Sequence, residues 1–320
     1  MHHFFLRAFR AFVLVLVTAV VTTAVPAAVR AADPIVVNVG TLPTDGSANV
    51  FYAQDLGYFK AVGLDAHIQT MGSGPIVAQA IAGGAIDIGV VNVATVSAAY
   101  LRGLHFKYIA PADIASPQTR TDLMMVLKDS PIQKASDLNG KTIALNGLKD
   151  LQQLCAMAWV DKHGGDSKTL KFVEVPFPEM GAALVQKRVD AAMMVEPFVS
   201  AGRATGRSIG EDLDGVGTNY MIVGWVATDS WLATHADVAA RFQSAILKAS
   251  VWANSHKKES AAILLRHTKL KPEVVEAMAR AVAGTHMDVS MIQPVVDAAL
   301  KYGIINKPVP AADLIWTATK

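Results

Sequence analysis

The chain has 320 residues, with 29 Lys and Arg against 27 Asp and Glu and a formal net charge of +2. Arg7, Arg10 and Arg30 supply three of those positives within the first 31 residues, which contain no acid, so the rest of the chain stands at −1. A near-neutral body excludes the electrostatic footprint of a nucleic-acid or anionic-membrane binder, and a lone cysteine, Cys155, excludes an intrachain disulfide or a cysteine-rich metal site.

Residues 1–31 read as an export signal. Arg7 and Arg10 form a positive start, Ala11 to Val21 is an uncharged apolar core, and Val29-Arg30-Ala31 follows Pro26 as a cleavage site. That core is well short of the ~20 apolar residues a spanning helix requires. No cysteine follows it to take a lipid, so stable membrane insertion is not expected, and the location expected is a bacterial periplasm.

Beyond the signal, strand and helix patterns alternate. Ile35 to Val39 is a short β run, apolar nearly throughout, as for a strand covered on both faces. A loop from Gly40 to Ser47 leads to a helix carrying Phe51, Tyr52 and Leu56 and ending near Gly57. Asp65 to Thr70 is the second strand. A helix opens behind Gly72-Ser73-Gly74-Pro75, with Ile76, Ala80 and Ile81 as its apolar face. Ile86 to Val91 and Lys107 to Ala112 complete the first series, and such alternation predicts parallel strands with right-handed crossovers.

A polar stretch from Ser116 to Asp122, holding Arg120, precedes a β run from Leu123 to Leu127 and a turn at Asp129-Ser130-Pro131. A second α/β unit follows Asp137-Leu138-Asn139-Gly140-Lys141, with strands at Thr142 to Leu145, Leu170 to Val175 and Val189 to Val195. The run from Tyr220 to Val226 is expected to cross back. Helices are expected at Val238 to Ala253, Pro272 to Ala283 and Met291 to Tyr302, Pro272 suiting a first helical turn.

Gly57-Tyr58-Phe59, Gly63-Leu64, the Gly72-Ser73-Gly74 loop, Gly89, the Asp137 to Lys141 run, and Asp190-Ala191-Ala192 followed by Glu196-Pro197-Phe198 occur in an order that resembles one family. It is the nitrate/sulfonate/taurine and thiamine-precursor (NMT1/THI5-like) group of periplasmic solute-binding proteins serving ABC importers. The resemblance implies an α/β, two-lobed periplasmic-binding-protein type II fold. Each lobe would be a mostly parallel sheet flanked by helices, with the ligand between lobes. Lobe one would take residues 32–117 and 225–320, and lobe two residues 118–224. It also implies a monomer working with a permease and its ATPase.

Loops at the C-terminal ends of parallel strands hold ligands in open α/β sheets, and helix N-termini there offer unpaired N–H groups. The candidate ligand-binding residues are Thr44, Asp45, Gly46, Asn49, Gly72, Ser73, Gly74 and Asn92 in the first half. In the second half they are Asn146, Lys149, Phe177, Glu196 and Tyr220. Ser73 can cap a helix or meet a ligand. Asp45 can shape a turn before Gly46 or reach into the cleft, and Glu196 can sit at a helix start or do the same. Two carboxylates suggest a ligand with N–H groups or positive charge; an anionic sulfonate would need compensation from Lys149 or Arg120. Phe177 and Tyr220 are the aromatic candidates for stacking on a ligand. Met124-Met125 and Met193-Met194 read as packing, and Cys155 as a small buried hydrophobe.

No nucleophile with a base, no His-Glu-x-x-His and no phosphate-binding glycine motif occurs, so no cofactor, metal or catalytic set is expected. The function expected is capture of a small polar organic solute and its delivery to a permease. The rivals are an enzyme of the same fold, of the thiamine-pyrimidine or menaquinone-pathway type, and a periplasmic sensing module.

Overall fold

The computed structural model describes residues 33–116, 120–268 and 270–317; the expected export signal lies outside them. Strand β1 (Ile35–Thr41) is followed by α1 (Asn49–Asp55), α2 (Tyr58–Ala61), β2 (Leu64–Thr70), α3 (Gly74–Ala82), β3 (Ile88–Asn92), α4 (Val93–Tyr100) and β4 (Phe106–Ile114). Gly57, at φ +71°, makes the turn between α1 and α2, a left-handed conformation that glycine adopts without steric cost. The start of β1 is not covered on both faces: Ile35 is 39 % and Val36 51 % exposed, and full burial begins at Val37.

The chain then crosses into β5 (Asp122–Leu127) and continues through β6 (Thr142–Leu145), α5 (Leu151–Lys162), β7 (Lys171–Glu174), α6 (Phe177–Val185), β8 (Ala191–Val195), α7 (Phe198–Gly202) and β9 (Gly206–Glu211). Strand β10 (Met221–Thr228) returns. Helices α8 (Asp229–Thr234), α9 (Ala236–Ser255), α10 (Lys257–His267), α11 (Pro272–Ala277) and α12 (Val289–Lys301) follow, with a short 3-10 turn at Ala311–Leu314 beyond them.

Two five-stranded sheets result, ordered β2-β1-β3-β10-β4 and β7-β6-β8-β5-β9. They are mixed rather than mostly parallel. β1 pairs in parallel with β2 and β3, and β6 with β7 and β8, but β10 and β5 run antiparallel to both of their neighbours. The cause is the double crossing: a strand arriving from the other sheet enters at the edge where the parallel strands end, and so runs backwards. All of β10 lies in the first sheet, so the crossing occurs ahead of Met221. The two crossing segments are tied together, with Ala115 N–H donating to Tyr220 O at 2.8 Å and Asn219 N–H to Ala115 O at 2.9 Å.

Packing resets two of the sequence expectations. Helix α3 turns Val77, Ala78 and Ile81 inward and leaves Ile76 48 % exposed. Its approach is set by Gly89 on β3, where a Cβ would fall 2.4 Å from Val77 Cγ1. The helix expected from Pro272 to Ala283 stops at Ala277. Beyond it the backbone amides of Ala279, Ala281 and Ala283 donate to Glu196 Oε1, Asp45 Oδ2 and Asn254 Oδ1, partners that a continuing helix would have displaced. Strand β9 was not anticipated. Its sequence, Gly-Arg-Ser-Ile-Gly-Glu, lacks an apolar run, and Gly210 lies under the Trp159 ring.

The strand methionines are buried. Met124 and Met193 join the larger core with Trp225, Phe242 and Tyr108, while Met125 and Met194 join a smaller one with Phe177, Met180 and Leu184. Adjacent residues thus serve opposite faces of β5 and of β8, as strand alternation requires. Full burial of a side chain such as Phe242 contributes roughly 1.5–3 kcal/mol.

Candidate functional site

The C-terminal ends of β1, β3, β6 and β8 and the start of β5 converge on one cavity, because antiparallel β5 begins where β8 ends, Asp122 facing Val195 in register. The cavity has a volume of about 70 Å³, counted as space open to the centre of a water molecule. At roughly 10–15 Å³ per water, it holds about five to seven waters or a compact organic molecule. Leu42, Leu151, Cys155, Phe177, Met193, Val195, Leu213, Ile222 and Val223 form its apolar wall.

Its polar wall is dominated by carboxylates: Asp45, Asp113, Asp122, Asp150 and Glu196 all line it, and among the described residues no Lys, Arg or His does. Asp45 is 6 % exposed and meets Arg280 at 2.9 Å, with Ala281 N–H donating to its Oδ2 at 2.7 Å. Glu196 sits at the start of α7, where Ser200 N–H and Ser200 Oγ donate to its two oxygens at 3.0 and 2.9 Å. Asp150 is the N-cap of α5, accepting from the amides of Gln152 and Gln153. Asp122 accepts from Thr121 Oγ1 at 2.8 Å. Asp113 Oδ1 is buried with no hydrogen-bond partner among the described residues.

Burial raises the affinity of Asp113, Asp122, Asp150 and Glu196 for protons. It pushes Asp122 up to about 7, with the charges of Glu196 and Glu211 adding to the effect. Asp150 also rises to about 7 through burial, with Glu174 nearby. Asp113 lies well above the usual carboxylate range, through burial first and then the charges of Asp122 and Asp45. Glu196 is raised by burial against the opposing hydrogen bonds from Ser200.

Asp113 is positioned by an irregularity: the β4–β10 register shifts between Met221 and Gly224, re-aiming the end of β4. Gly46 passes directly over it. A Cβ there would fall 2.1 Å from Asp113 Oδ2, so no larger residue fits that loop without displacing the carboxylate.

Of the residues singled out from sequence, Thr44, Asp45, Gly46, Gly74, Asn92, Asn146, Phe177 and Glu196 line the cavity. Asn92 also caps α4, its side-chain oxygen accepting from Thr95 N–H at 2.8 Å. Phe177 stacks on Phe198 at 5.9 Å. The remaining five lie elsewhere. The Gly72 carbonyl accepts from Asn146 Nδ2 at 2.8 Å, a strap between the two halves, and Asp45 N–H donates to Glu196 O at 3.1 Å as a second. Ser73 occupies the N-cap of α3 without a side-chain capping bond, its hydroxyl buried and without a hydrogen-bond partner among the described residues.

Asn49 is built into the core, accepting from Trp225 Nε1 and donating to Ser250 Oγ, both at 3.1 Å. Tyr220 is buried behind Cys155 and donates to the Leu213 carbonyl at 2.9 Å. Lys149 is exposed and borders a separate depression with Arg102 and Leu148. Arg120, 78 % exposed along its side chain, pairs with Glu211 at 3.5 Å. Neither of the cations considered as compensation for an anion enters the cavity.

Sequence reasoning missed Asp113, Thr121, Asp122 and Gln152; Asp150 ends the candidate loop Asn146 to Asp150 but was not singled out within it. A signal existed for Asp113: one acid between Ala112 and Ile114 at the end of an apolar run, a placement that costs free energy unless the carboxyl is used. Among the described residues, no group of three or more His, Cys, Asp and Glu is arranged to hold a metal ion, and no helix is long and apolar enough to cross a membrane.

Solved structures share this architecture. A ligand-binding component of an ABC-type import system from Staphylococcus aureus, with zinc bound, is 18 % identical and superposes with a TM-score of 0.75 over 88 % of this chain and 96 % of that one. The alkanesulfonate-binding protein SsuA from Xanthomonas axonopodis pv. citri, bound to MOPS, is 18 % identical with a TM-score of 0.74, over 89 % and 99 % of the two chains. The periplasmic nitrate-binding protein NrtA from Synechocystis PCC 6803 gives 12 % identity and a TM-score of 0.71, over 85 % and 83 %. At these identities the likeness is one of fold, the periplasmic solute-binding fold of the SsuA and NrtA type. No curated protein sequence matches the chain. The family model described as NMT1/THI5 like matches residues 45–260, more than half of the chain, which therefore belongs to that family.

Proposed function

We propose that this protein is the solute-binding component of an ABC-type importer, exported to the periplasm and working as a monomer. It captures one small polar organic solute and hands it to a permease driven by its own ATPase. Residues 33–116 with the chain from β10 onward form one lobe, and the intervening β5–β9 segment forms the other. The observation that carries this reading is the cavity itself: its wall draws polar groups from the loops of both sheets, and the Asn146–Gly72 and Asp45–Glu196 straps span it. A solute touching both walls favours closure by its differential affinity for the closed form. Exclusion of water then strengthens each polar contact. The wall residues with protein partners serve as caps and straps, which suits holding a guest unchanged.

Small-angle scattering with thermal unfolding tests the reading. A true solute is expected to shrink the radius of gyration and raise Tm together; at 100 to 1,000 times its Kd the added stability is about 3–4 kcal/mol. Turnover of a compound with neither change would replace binding with catalysis.

A further inference from the structure

Five carboxylates around one small cavity are unequal, and the inequality bears on the solute. Asp45 is neutralised by Arg280, Glu196 is held by Ser200 and the amide of Ala279, and Asp150 caps α5. These three are spent on the fold. Asp113 and Asp122 are not. Asp122 accepts from the hydroxyl of its own neighbour Thr121, and Asp113, only 6 % exposed, keeps Oδ1 buried with no donor among the described residues. A buried acceptor without a donor costs free energy that evolution of a core removes cheaply by substitution, so its retention on a cavity wall calls for an occupant that supplies the donor.

Charge narrows the occupant further. Among the described residues, nothing basic lines the cavity. An anion would be desolvated among carboxylates with no cation to receive it, an arrangement penalised both by lost hydration and by like-charge repulsion. A cation brings N–H donors and the missing positive charge at once, and burial makes such charge-assisted bonds strong.

We propose that the solute carries a protonated amine or amidinium group, seated against Asp113 and flanked by Asp122, with its carbon skeleton against the Phe177, Met193 and Leu213 side of the cavity. The proposal rests on the solute-binding reading above and adds the chemical class of its guest. It separates this chain from the alkanesulfonate- and nitrate-binding proteins that share its fold.

The test uses the purified protein at pH 7.5 with two matched sets of small probes: ethylammonium, methylguanidinium, acetamidinium and 1,4-diaminobutane against ethanesulfonate, methanesulfonate, nitrate and acetate. Each is titrated by thermal shift and calorimetry into wild type, Asp113→Asn and Asp122→Asn, with circular dichroism confirming that each variant is folded. At least one member of the cationic set is expected to raise Tm and bind, with affinity falling tenfold or more in Asp113→Asn and by a smaller factor in Asp122→Asn. Stabilisation by a sulfonate or nitrate with the cations inert would overturn the assignment and leave solute binding intact. Inertness of both sets, or cation binding unchanged in both variants, would overturn it as well.

Discussion

The hollows on the two sides of the Asp45–Gly46 loop treat buried charge in opposite ways. On one side lies a niche lined by Tyr52, Lys257, Arg280 and Ala281, where Arg280 Nε donates to both oxygens of Asp45 at 3.1 Å and its Nη2 donates to Tyr52 Oη at 2.7 Å. Charge there is compensated within the chain. On the other side, Asp113 and Asp122 share a cavity several times larger, about 70 Å³ against about 10 Å³, with no cation in its lining among the described residues. The same loop therefore separates a finished ion pair from an unfinished one. A buried pair that is complete holds structure, whereas a buried carboxyl oxygen without a donor leaves hydrogen-bonding capacity for an occupant.

Breaking the finished side produces the largest effect. Arg280→Met keeps much of the volume but strands Asp45, which is 6 % exposed, without its partner. The expected loss is about 3–5 kcal/mol of unfolding free energy, read as a lower urea midpoint with an unchanged slope. A loss below about 1 kcal/mol, the scale of an exposed ion pair, would erase the distinction between the two hollows.

The unfinished side is expected to show itself as pH dependence in the absence of ligand. Asp122 and Asp150, both raised by burial to about 7, hold their protons more tightly folded than unfolded. For such acids the stabilising contribution is complete below the unfolded value of about 3.9 and is lost as pH rises through the folded value, because the unfolded chain ionises first. Asp113, facing Asp122, Asp45 and Lys257, pushes in the same direction. Melting temperature should therefore fall between about pH 4 and pH 7. Asp113→Asn should match wild type near pH 4 and melt higher than wild type at pH 8, since it removes an acid that resists ionising. Parallel curves for the two proteins would show that Asp113 is no source of this strain.

The contrast also explains what could be read from the chain beforehand. The strand–helix alternation, the crossing strand and the loops around Asp45, Asn92, Asn146 and Glu196 follow from local pattern, because apolar runs and glycines record backbone geometry directly. What was hidden depends on pairing between distant segments. That Asp45 would be neutralised by Arg280, 235 residues away, has no local signature. Nor has the end of α11 at Ala277, which is dictated by carboxylates that claim the following amides. Asp113 and Asp122 were passed over because one lies inside a strand and the other opens one, positions that local reading assigns to the sheet. Asn49 and Tyr220 failed in the reverse sense: each is a polar residue beside a cleft loop, yet the core supplies its partners.

Lys149 sharpens the comparison from outside both hollows, and its effect should be the smallest. It is the cation nearest in sequence to the Asn146 loop, so a sequence-level argument can recruit it for an anion. The fold places it on an exposed turn, with φ at +54° and its amide donating to Gln153 Oε1 at 2.8 Å. A left-handed φ is strained for lysine and free for glycine. Lys149→Gly should therefore leave stability unchanged or raise it by up to about 1 kcal/mol, and leave affinity for any bound solute within twofold. A tenfold loss of affinity would mean that Lys149 reaches the cavity in the bound form. The guest would then carry negative charge, and the bare carboxylates of Asp113 and Asp122 would have to be protonated to receive it.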